Sequence, residues 1–325
     1  MPAVPRPRLR RSRASAVVAP APERTQPRIE RVQHGELTWI NIPEPTGLEL
    51  AWLSEHYDFH PLDLEDVSSR NQRPKIDEYP DYLFIVLHFP VFDKQVGRLN
   101  AGELDLFVGP DYVITIPNQP LKPVEYLFER CRVSEDLRDQ YFSKGSGYLL
   151  YQIVDQSFDY CFPMLRKIGN KLEQLEAEIF KGRSEEIVRD LSNVKQEIIN
   201  FRKVIRPQRT VLRDLERTKQ RYLAGDMDVY FDDIVDACER IWDMLENYKE
   251  VVQALEETNE SILSHRVNDV LRVLTAFSVI ILPLTLLASI WGMNTAVPGG
   301  GGIHAFWIII GVMVTVLVGM IGYFK

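Results

Sequence analysis

The sequence predicts an α/β cytosolic domain, a long helical stalk and two C-terminal transmembrane helices. The spans are predicted by Val273–Phe324, which contains no Asp, Glu, Lys or Arg in a chain that is 26% charged. Its two apolar segments, Val273–Trp291 and Ile303–Phe324, each match the roughly 20 residues that cross a bilayer as a helix. Short apolar runs between turn residues predict the α/β domain at 29–146, and helical periodicity that continues from 229 into the first span predicts the stalk.

Residues 1–28 form an Arg- and Pro-rich arm whose only acid is Glu23. This composition is typical of a disordered basic segment. A mitochondrial presequence shares the Arg bias, but prolines such as Pro5 and Pro7 would interrupt the amphipathic helix that such a signal needs. We therefore expect a cytosolic tail.

Residues 29–146 are predicted to form a small sheet covered by helices. Apolar runs and turn residues, including Gly109 and Pro110, predict four strands with two short helices among them. The predicted strands are Leu37–Ile42, Tyr82–Phe89, Leu104–Val108 and Tyr112–Ile116, and the predicted helices are Leu48–Tyr57 and Pro61–Val67.

Residues 147–228 are charged and helical in period, which predicts a helical hairpin. The helix that follows, 229–291, contains one strong breaker, Pro283, and would be about 95 Å long at 1.5 Å per residue. A helix of this length is not stable alone, so we expect it to form a bundle with copies of itself. The predicted hairpin helices are Tyr148–Phe180 and Ser184–Leu223.

Basic residues flank the two predicted spans on one side only. Arg266 and Arg272 precede the first span and Lys325 follows the second, whereas the connecting loop 292–302 carries no charge. Because basic flanks stay in the cytoplasm, we expect a multi-pass protein of the cell (inner) membrane with both termini cytoplasmic. The alternative is a buried hairpin in a soluble core, which two adjacent apolar stretches of this length disfavour.

The composition excludes some classes of function. The formal net charge of −8 at pH 7 argues against nucleic-acid binding, and it fits cation handling and ordinary solubility equally well. The cysteines Cys131, Cys161 and Cys238 show no C-x-x-C spacing, so we expect reduced thiols. The sequence contains no P-loop, G-x-S-x-G or H-E-x-x-H motif, so it gives no support for an enzyme.

A polar stripe runs along the first predicted span, within one arc of roughly 100° when residues are placed about 100° apart. Such hydroxyls and amides face other protein or water, so the stripe is either a helix–helix contact or the wall of an uncharged conduit around a symmetry axis. Neutral oxygens suit a cation that keeps its water, as magnesium does, and leucine rings would form dewetting gates. The arc contains Asn268, Leu271, Thr275, Ser278, Leu282, Thr285 and Ser289.

The tripeptide Gly292-Met293-Asn294 directly follows this span, and in that position it resembles the motif of the CorA family of magnesium and cobalt channels. The resemblance covers nearly everything beyond the N-terminal arm. It runs through Asn268–Thr275, Leu282–Thr285 and Ile290–Asn294 near the spans, and through Asn71–Lys75 and Phe84–Leu87 in the soluble domain.

The resemblance implies a funnel-shaped homopentamer in the lipid bilayer that passes magnesium and other divalent cations. Five copies of Asn294, with Gly292 and Met293, would form the filter, and Leu274, just outside the arc, would join the pore lining. It also implies that cytosolic magnesium, bound by Asp81 and Asp233 of neighbouring subunits, holds the pore shut. The alternative for Asp233 is that it only favours the start of a helix through the helix dipole.

The external loop departs from the family pattern after the tripeptide. It has no acid and contains four consecutive glycines, Gly299–Gly302, which resembles the zinc-transporting branch. A zinc transporter, either passive or proton-coupled, is therefore the alternative to a magnesium channel that also passes cobalt or nickel. Against zinc, the stripe has no Cys or His, and His304 is the one candidate near the mouth. The hypothesis from a different functional class is a membrane-tethered scaffold that conducts no ions. Such a scaffold would not need the polar stripe.

Overall fold

The computed structural model describes residues 25–69, 72–93, 97–181, 184–217, 227–292 and 303–324. Most of the predicted basic arm, most of the external loop, Met293 and Asn294 lie outside the described residues. Within those ranges the chain forms a six-stranded sheet and nine helices. The strands are β1 (Glu30–His34), β2 (Leu37–Asn41), β3 (Lys75–Glu78), β4 (Leu83–Asp93), β5 (Arg98–Val108) and β6 (Tyr112–Pro117). The helices are α1 (Gly47–His56), α2 (Pro61–Ser69), α3 (Lys122–Val133), α4 (Glu135–Phe142), α5 (Ser146–Asp159), α6 (Cys161–Ile179), α7 (Ser184–Arg217), α8 (Asp228–Trp291) and α9 (Ile303–Phe324).

The sheet is mixed, with strand order β1-β2-β6-β5-β4-β3. Strands β2 and β6 are parallel, whereas β1 pairs with β2, β3 with β4 and β5 with β6 in antiparallel fashion. The four predicted strands are confirmed as β2, β4, β5 and β6, and the two predicted helices as α1 and α2. The edge strands β1 and β3 are absent from the prediction because they are polar, with only one buried residue between them. Charged edges are how sheets avoid further pairing.

Helices cover both faces of the sheet. Ile40 of β2 packs with Leu53 of α1 and Val67 of α2 in one core. Because neighbouring side chains of a strand point to opposite faces, Trp39 lies on the other side. There its ring centroid is 5.0 Å from that of Phe128 in α3.

The prediction of a single helix over Tyr148–Phe180 is wrong, because the chain forms two helices, α5 and α6, that meet at Tyr160. Pro163 lies in the first turn of α6. Proline has no N–H and its ring clashes with the carbonyl four residues earlier, here that of Asp159, so a continuous helix is disfavoured. The same proline is tolerated in the first turn of a new helix, where the N–H has no helical partner.

The chain divides into two compact units that interleave along the sequence. Unit 1 takes its described residues from Met1–Phe92, Asn100–Tyr160 and Val204–Cys238, and unit 2 from Asp93–Leu99, Cys161–Lys203 and Glu239–Lys325. Within unit 2, Lys171 of α6 pairs with Asp190 of α7 at 2.5 Å, and Lys195 of α7 pairs with Glu256 of α8 at 2.7 Å. Partly exposed pairs of this kind contribute at most about 1 kcal/mol each, so they align the helices more than they stabilise them.

The two predicted spans are confirmed as segments of α8 and α9. Helix α8 is uninterrupted over 64 residues, through Pro283, and α9 has 22 residues. Both are long and apolar enough to cross a bilayer, and no side chain of their most apolar windows is buried within the chain. Large apolar residues such as Leu286 and Ile308 are more than 60% exposed. A surface of this kind needs lipid or the helices of other copies as a partner.

Candidate metal-ion pathway

All eight residues predicted to line a pore lie on α8, and each is exposed in the single chain. Because the helix is continuous, the angular spacing assumed from the sequence holds along the whole stripe. Their role as a pore wall remains a prediction. They are Asn268, Leu271, Leu274, Thr275, Ser278, Leu282, Thr285 and Ser289.

Two hydroxyls of the stripe donate their protons back to the helix. Ser278 Oγ donates to the carbonyl oxygen of Leu274 at 2.9 Å, and Thr285 Oγ1 donates to that of Ile281 at 3.0 Å. A hydroxyl that has donated in this way keeps two lone pairs and can only accept from whatever lies beside it. At these two positions the stripe therefore presents acceptors, which attract cations and the hydrogens of their bound water.

The end of the first span is shaped by Gly292. Its N–H donates to the carbonyl oxygen of Ala288 at 3.0 Å, which closes the last turn. A Cβ added at Gly292 would lie 3.1 Å from that same oxygen, a tight contact against backbone. Glycine thus suits this position for a steric reason. Met293 and Asn294, the other two predicted filter residues, lie outside the described residues.

Asp233, the first predicted regulatory residue, lies near the start of α8 and is exposed. Its Oδ2 accepts a hydrogen bond of 3.0 Å from the hydroxyl of Tyr151 in α5. The Tyr151 ring packs against Tyr230, with centroids 5.0 Å apart, and against Tyr148, with centroids 5.7 Å apart. The carboxylate is thus held by a hydroxyl that an aromatic cluster supports.

Asp81, the second predicted regulatory residue, is exposed at the edge of a cavity of about 350 Å³ in unit 1. Asp58 lines the same cavity, together with His60 and Tyr79. Among the described residues that line it, none is Lys or Arg. Two acids in a lining without Lys or Arg make this cavity attractive to cations.

The described residues of one chain contain no group of three or more His, Cys, Asp and Glu side chains that could hold a metal ion. The predicted pairing joins Asp81 to Asp233 of a neighbouring copy, so it remains a prediction. Asp58 and Tyr151 are candidate functional residues that the sequence analysis missed, because neither belongs to a periodic pattern or a motif. His304, the residue considered for zinc, is exposed in the first turn of α9.

A pair of buried acids lies in the sheet of unit 1. Glu103 and Asp105 are two residues apart on β5, so they share a face, and each is only 2% exposed. Glu103 accepts the N–H of Gln72 at 2.8 Å, and its Oε2 lies 3.4 Å from Nε2 of His88. No hydrogen bond from the described residues reaches Oδ1 of Asp105. Burial, and then the charge of Glu103, raise the pKa of Asp105 well above its usual range.

We expect Asp105→Asn to stabilise the protein at neutral pH and to flatten its pH dependence. Because the folded-state pKa is raised, the native protein binds the proton more tightly than the unfolded chain, so stability falls as pH rises above the unfolded pKa. The loss is up to about 1.4 kcal/mol per pH unit until the folded pKa is passed. Asparagine resembles the protonated acid and has no proton to lose. Thermal unfolding of the detergent-solubilised protein at about pH 5 and about pH 8 measures the difference.

The matched control is Asp111→Asn, in an exposed turn of the same unit. It should leave the pH dependence as it is in the wild type. A loss of stability in Asp105→Asn that is equal at both pH values would contradict the assignment of a buried, protonated carboxyl.

The chain is similar to known proteins along almost its whole length. The family model of the CorA-like Mg2+ transporter protein matches residues 34–325. The cobalt/magnesium transport protein CorA of Thermotoga maritima is 31% identical over 293 residues, which cover 89% of this chain and 82% of that protein.

Two solved structures resemble the fold. The CorA magnesium transporter of Methanocaldococcus jannaschii superposes with a TM-score of 0.79 and 21% identity, covering 91% of this chain and 93% of that chain. The ZntB cytoplasmic domain of Vibrio parahaemolyticus superposes with a TM-score of 0.59 and 14% identity, covering 70% and 88% of the two chains. These likenesses show the fold alone, whereas the family model and the Thermotoga relative show the family. This chain belongs to the CorA-like Mg2+ transporter family, a family of membrane transporters and not of enzymes.

Proposed function

We propose that this protein is a divalent-cation channel that conducts magnesium across the cell (inner) membrane and that also conducts cobalt and nickel. Membership of the CorA-like family and the cobalt/magnesium transport of the named Thermotoga relative support magnesium as the transported ion. The single observation that carries the proposal is the uncharged stripe of α8, in which Ser278 and Thr285 present oxygen acceptors.

An acceptor-lined wall suits magnesium because this ion dehydrates reluctantly and keeps several waters. The hydrogens of those waters point away from the ion, so they can donate to neutral oxygens without the ion losing its shell. Conduction also requires binding that is weak enough for the ion to leave. A stripe of hydroxyls and amides meets that condition better than a stripe of carboxylates, which would hold a divalent cation tightly.

A single α8 cannot enclose a conduit, so the channel requires several copies. We take the number from the family resemblance, which implies a homopentamer with α8 inside, α9 outside and both termini in the cytoplasm. The exposed apolar side chains of both helices support an assembly within the bilayer. Asn294, with Gly292 and Met293, would then form the filter, holding a hydrated cation through five amide oxygens at the outer mouth.

Control by cytosolic magnesium completes the proposal. A magnesium ion would bridge Asp233 of one copy and Asp81 of the next, and both side chains are exposed as this requires. Bare carboxylates that face each other repel, and a divalent cation between them turns repulsion into attraction. Loss of the ion would separate the subunits and open the bundle of α8 helices.

The alternative cargo is zinc, which the four glycines of the external loop favour by their resemblance to the zinc-transporting branch. Zinc prefers Cys and His ligands. The stripe contains neither, and His304 on α9 is the candidate near the mouth. Magnesium is therefore the better match to the geometry of α8.

Cation uptake into proteoliposomes tests the function directly. Vesicles loaded with a divalent-sensitive dye are offered magnesium or zinc, with and without a pH gradient, at an inside-negative potential. We expect magnesium entry that needs only the potential, which drives each charge by about 2.3 kcal/mol per 100 mV. Zinc entry that depends on the proton gradient, with little magnesium, would overturn the magnesium assignment. Absence of uptake of any cation would favour the scaffold.

A further inference from the structure

We infer that Tyr151 is a positioning residue that holds Asp233 in the geometry with which it binds the bridging cation. This inference rests on the proposed control by magnesium. The contact is the hydrogen bond of 3.0 Å from the Tyr151 hydroxyl to Oδ2 of Asp233, which joins α5 to the first turns of α8.

The direction of this hydroxyl is set by packing and not by Asp233 itself. The rings of Tyr148, Tyr151 and Tyr230 contact one another, with all three centroid distances between 5.0 and 5.7 Å. Lys144 also contacts the cluster, with its Nζ 4.2 Å from the centroid of Tyr148. A ring that is fixed by two other rings presents its hydroxyl at one place, whether or not a carboxylate accepts from it.

The hydroxyl also leaves the carboxylate able to bind metal. It donates to Oδ2, so this bond does not use Oδ1 of Asp233 or the remaining lone pair of Oδ2, either of which can bind a cation. An exposed aspartate otherwise samples several rotamers, and a cation must order the side chain as it binds. Partners that orient a ligand in advance are worth about tenfold to a hundredfold in metal affinity.

Tyr151→Phe tests the inference because it keeps the ring and removes only the oxygen. Dye-loaded proteoliposomes are prepared with graded internal magnesium, and the concentration that halves uptake is measured. We expect this midpoint to rise by about tenfold, the lower end of the range for orienting partners, since Asp233 is exposed. The matched control is Tyr126→Phe, a tyrosine of α3 that is 63% exposed, which should leave the midpoint unchanged.

A double-mutant cycle separates positioning from a purely structural role. In an Asp233→Ala background, Tyr151→Phe should cause no further shift, because the group that it orients is gone. An equal shift in both backgrounds would overturn the inference, and so would no shift from Tyr151→Phe where Asp233→Ala produces one. If Asp233→Ala itself leaves inhibition unchanged, the proposed control by magnesium is wrong and the inference falls with it.

Discussion

Replacing Asn294 with alanine is expected to abolish magnesium uptake while the protein still assembles in the membrane. In the proposed filter, five side-chain amides supply the oxygens that receive a hydrated cation at the outer mouth. The loop 292–302 contains no Asp or Glu, so no acid of the loop can replace those amides. Uptake should fall to the level of vesicles without protein. Dye-loaded proteoliposomes measure the flux, and chemical cross-linking in the same vesicles measures the assembly.

The neighbouring substitution Thr295→Ala is the matched control, because it changes the same loop by a similar volume. It should preserve most of the uptake. Normal flux through Asn294→Ala would remove the filter assignment. An equal loss in both variants would mean that the loop as a whole, and not the amide of Asn294, is required.

Replacing Asp233 with alanine is expected to shift inhibition by internal magnesium to concentrations at least about tenfold higher. The reason is that a bridging cation loses one of its two carboxylates, while the repulsion that it offsets also disappears. The midpoint of inhibition in vesicles with graded internal magnesium is the measurement. Asp81→Ala should produce a similar shift, and the double variant should add little to either change, because both residues would bind the same ion.

Asp232→Ala is the control that separates cation binding from the helix dipole. Asp232 is the preceding residue on α8, it is exposed, and its loss changes the net charge equally. A carboxylate near a helix N-terminus stabilises the helix through its dipole, and this effect is nearly the same at both positions. Equal shifts in the two variants would therefore contradict a specific site at Asp233.

The parts of the fold that were predicted correctly are those with a local period. Strands β2, β4, β5 and β6 carry apolar runs because they lie inside the sheet, and α8 carries a helical period over its whole length. The edge strands lack such a run, since the partly exposed residues of Lys75–Glu78 need no apolar pattern. The break at Tyr160 was missed because Pro163 can sit inside a helix, as Pro283 does, or begin a new one. Only the packing of the helices on either side decides between these outcomes.

The residues of the candidate site also fall into those that a local period predicts and those that it does not. The pore stripe was predicted because helical geometry alone sets which side chains share a face. Asp58 was not predicted, since only folding brings it and Asp81 into the lining of one cavity. The burial of Glu103 and Asp105 was not predicted either. These acids alternate with leucines in β5, and the sequence analysis interpreted the segment from Leu104 onward simply as an apolar strand.

The sequence by itself determined the two spans, their connection to a long helix and the uncharged stripe, because a bilayer constrains length and polarity residue by residue. Only the tertiary structure decided that the two compact units interleave along the chain, that α5 ends before Pro163, and that the hydroxyl of Tyr151 meets a carboxylate 82 residues away. Contacts across such separations depend on how whole elements pack. No local period encodes that packing, so a single sequence could not reveal it.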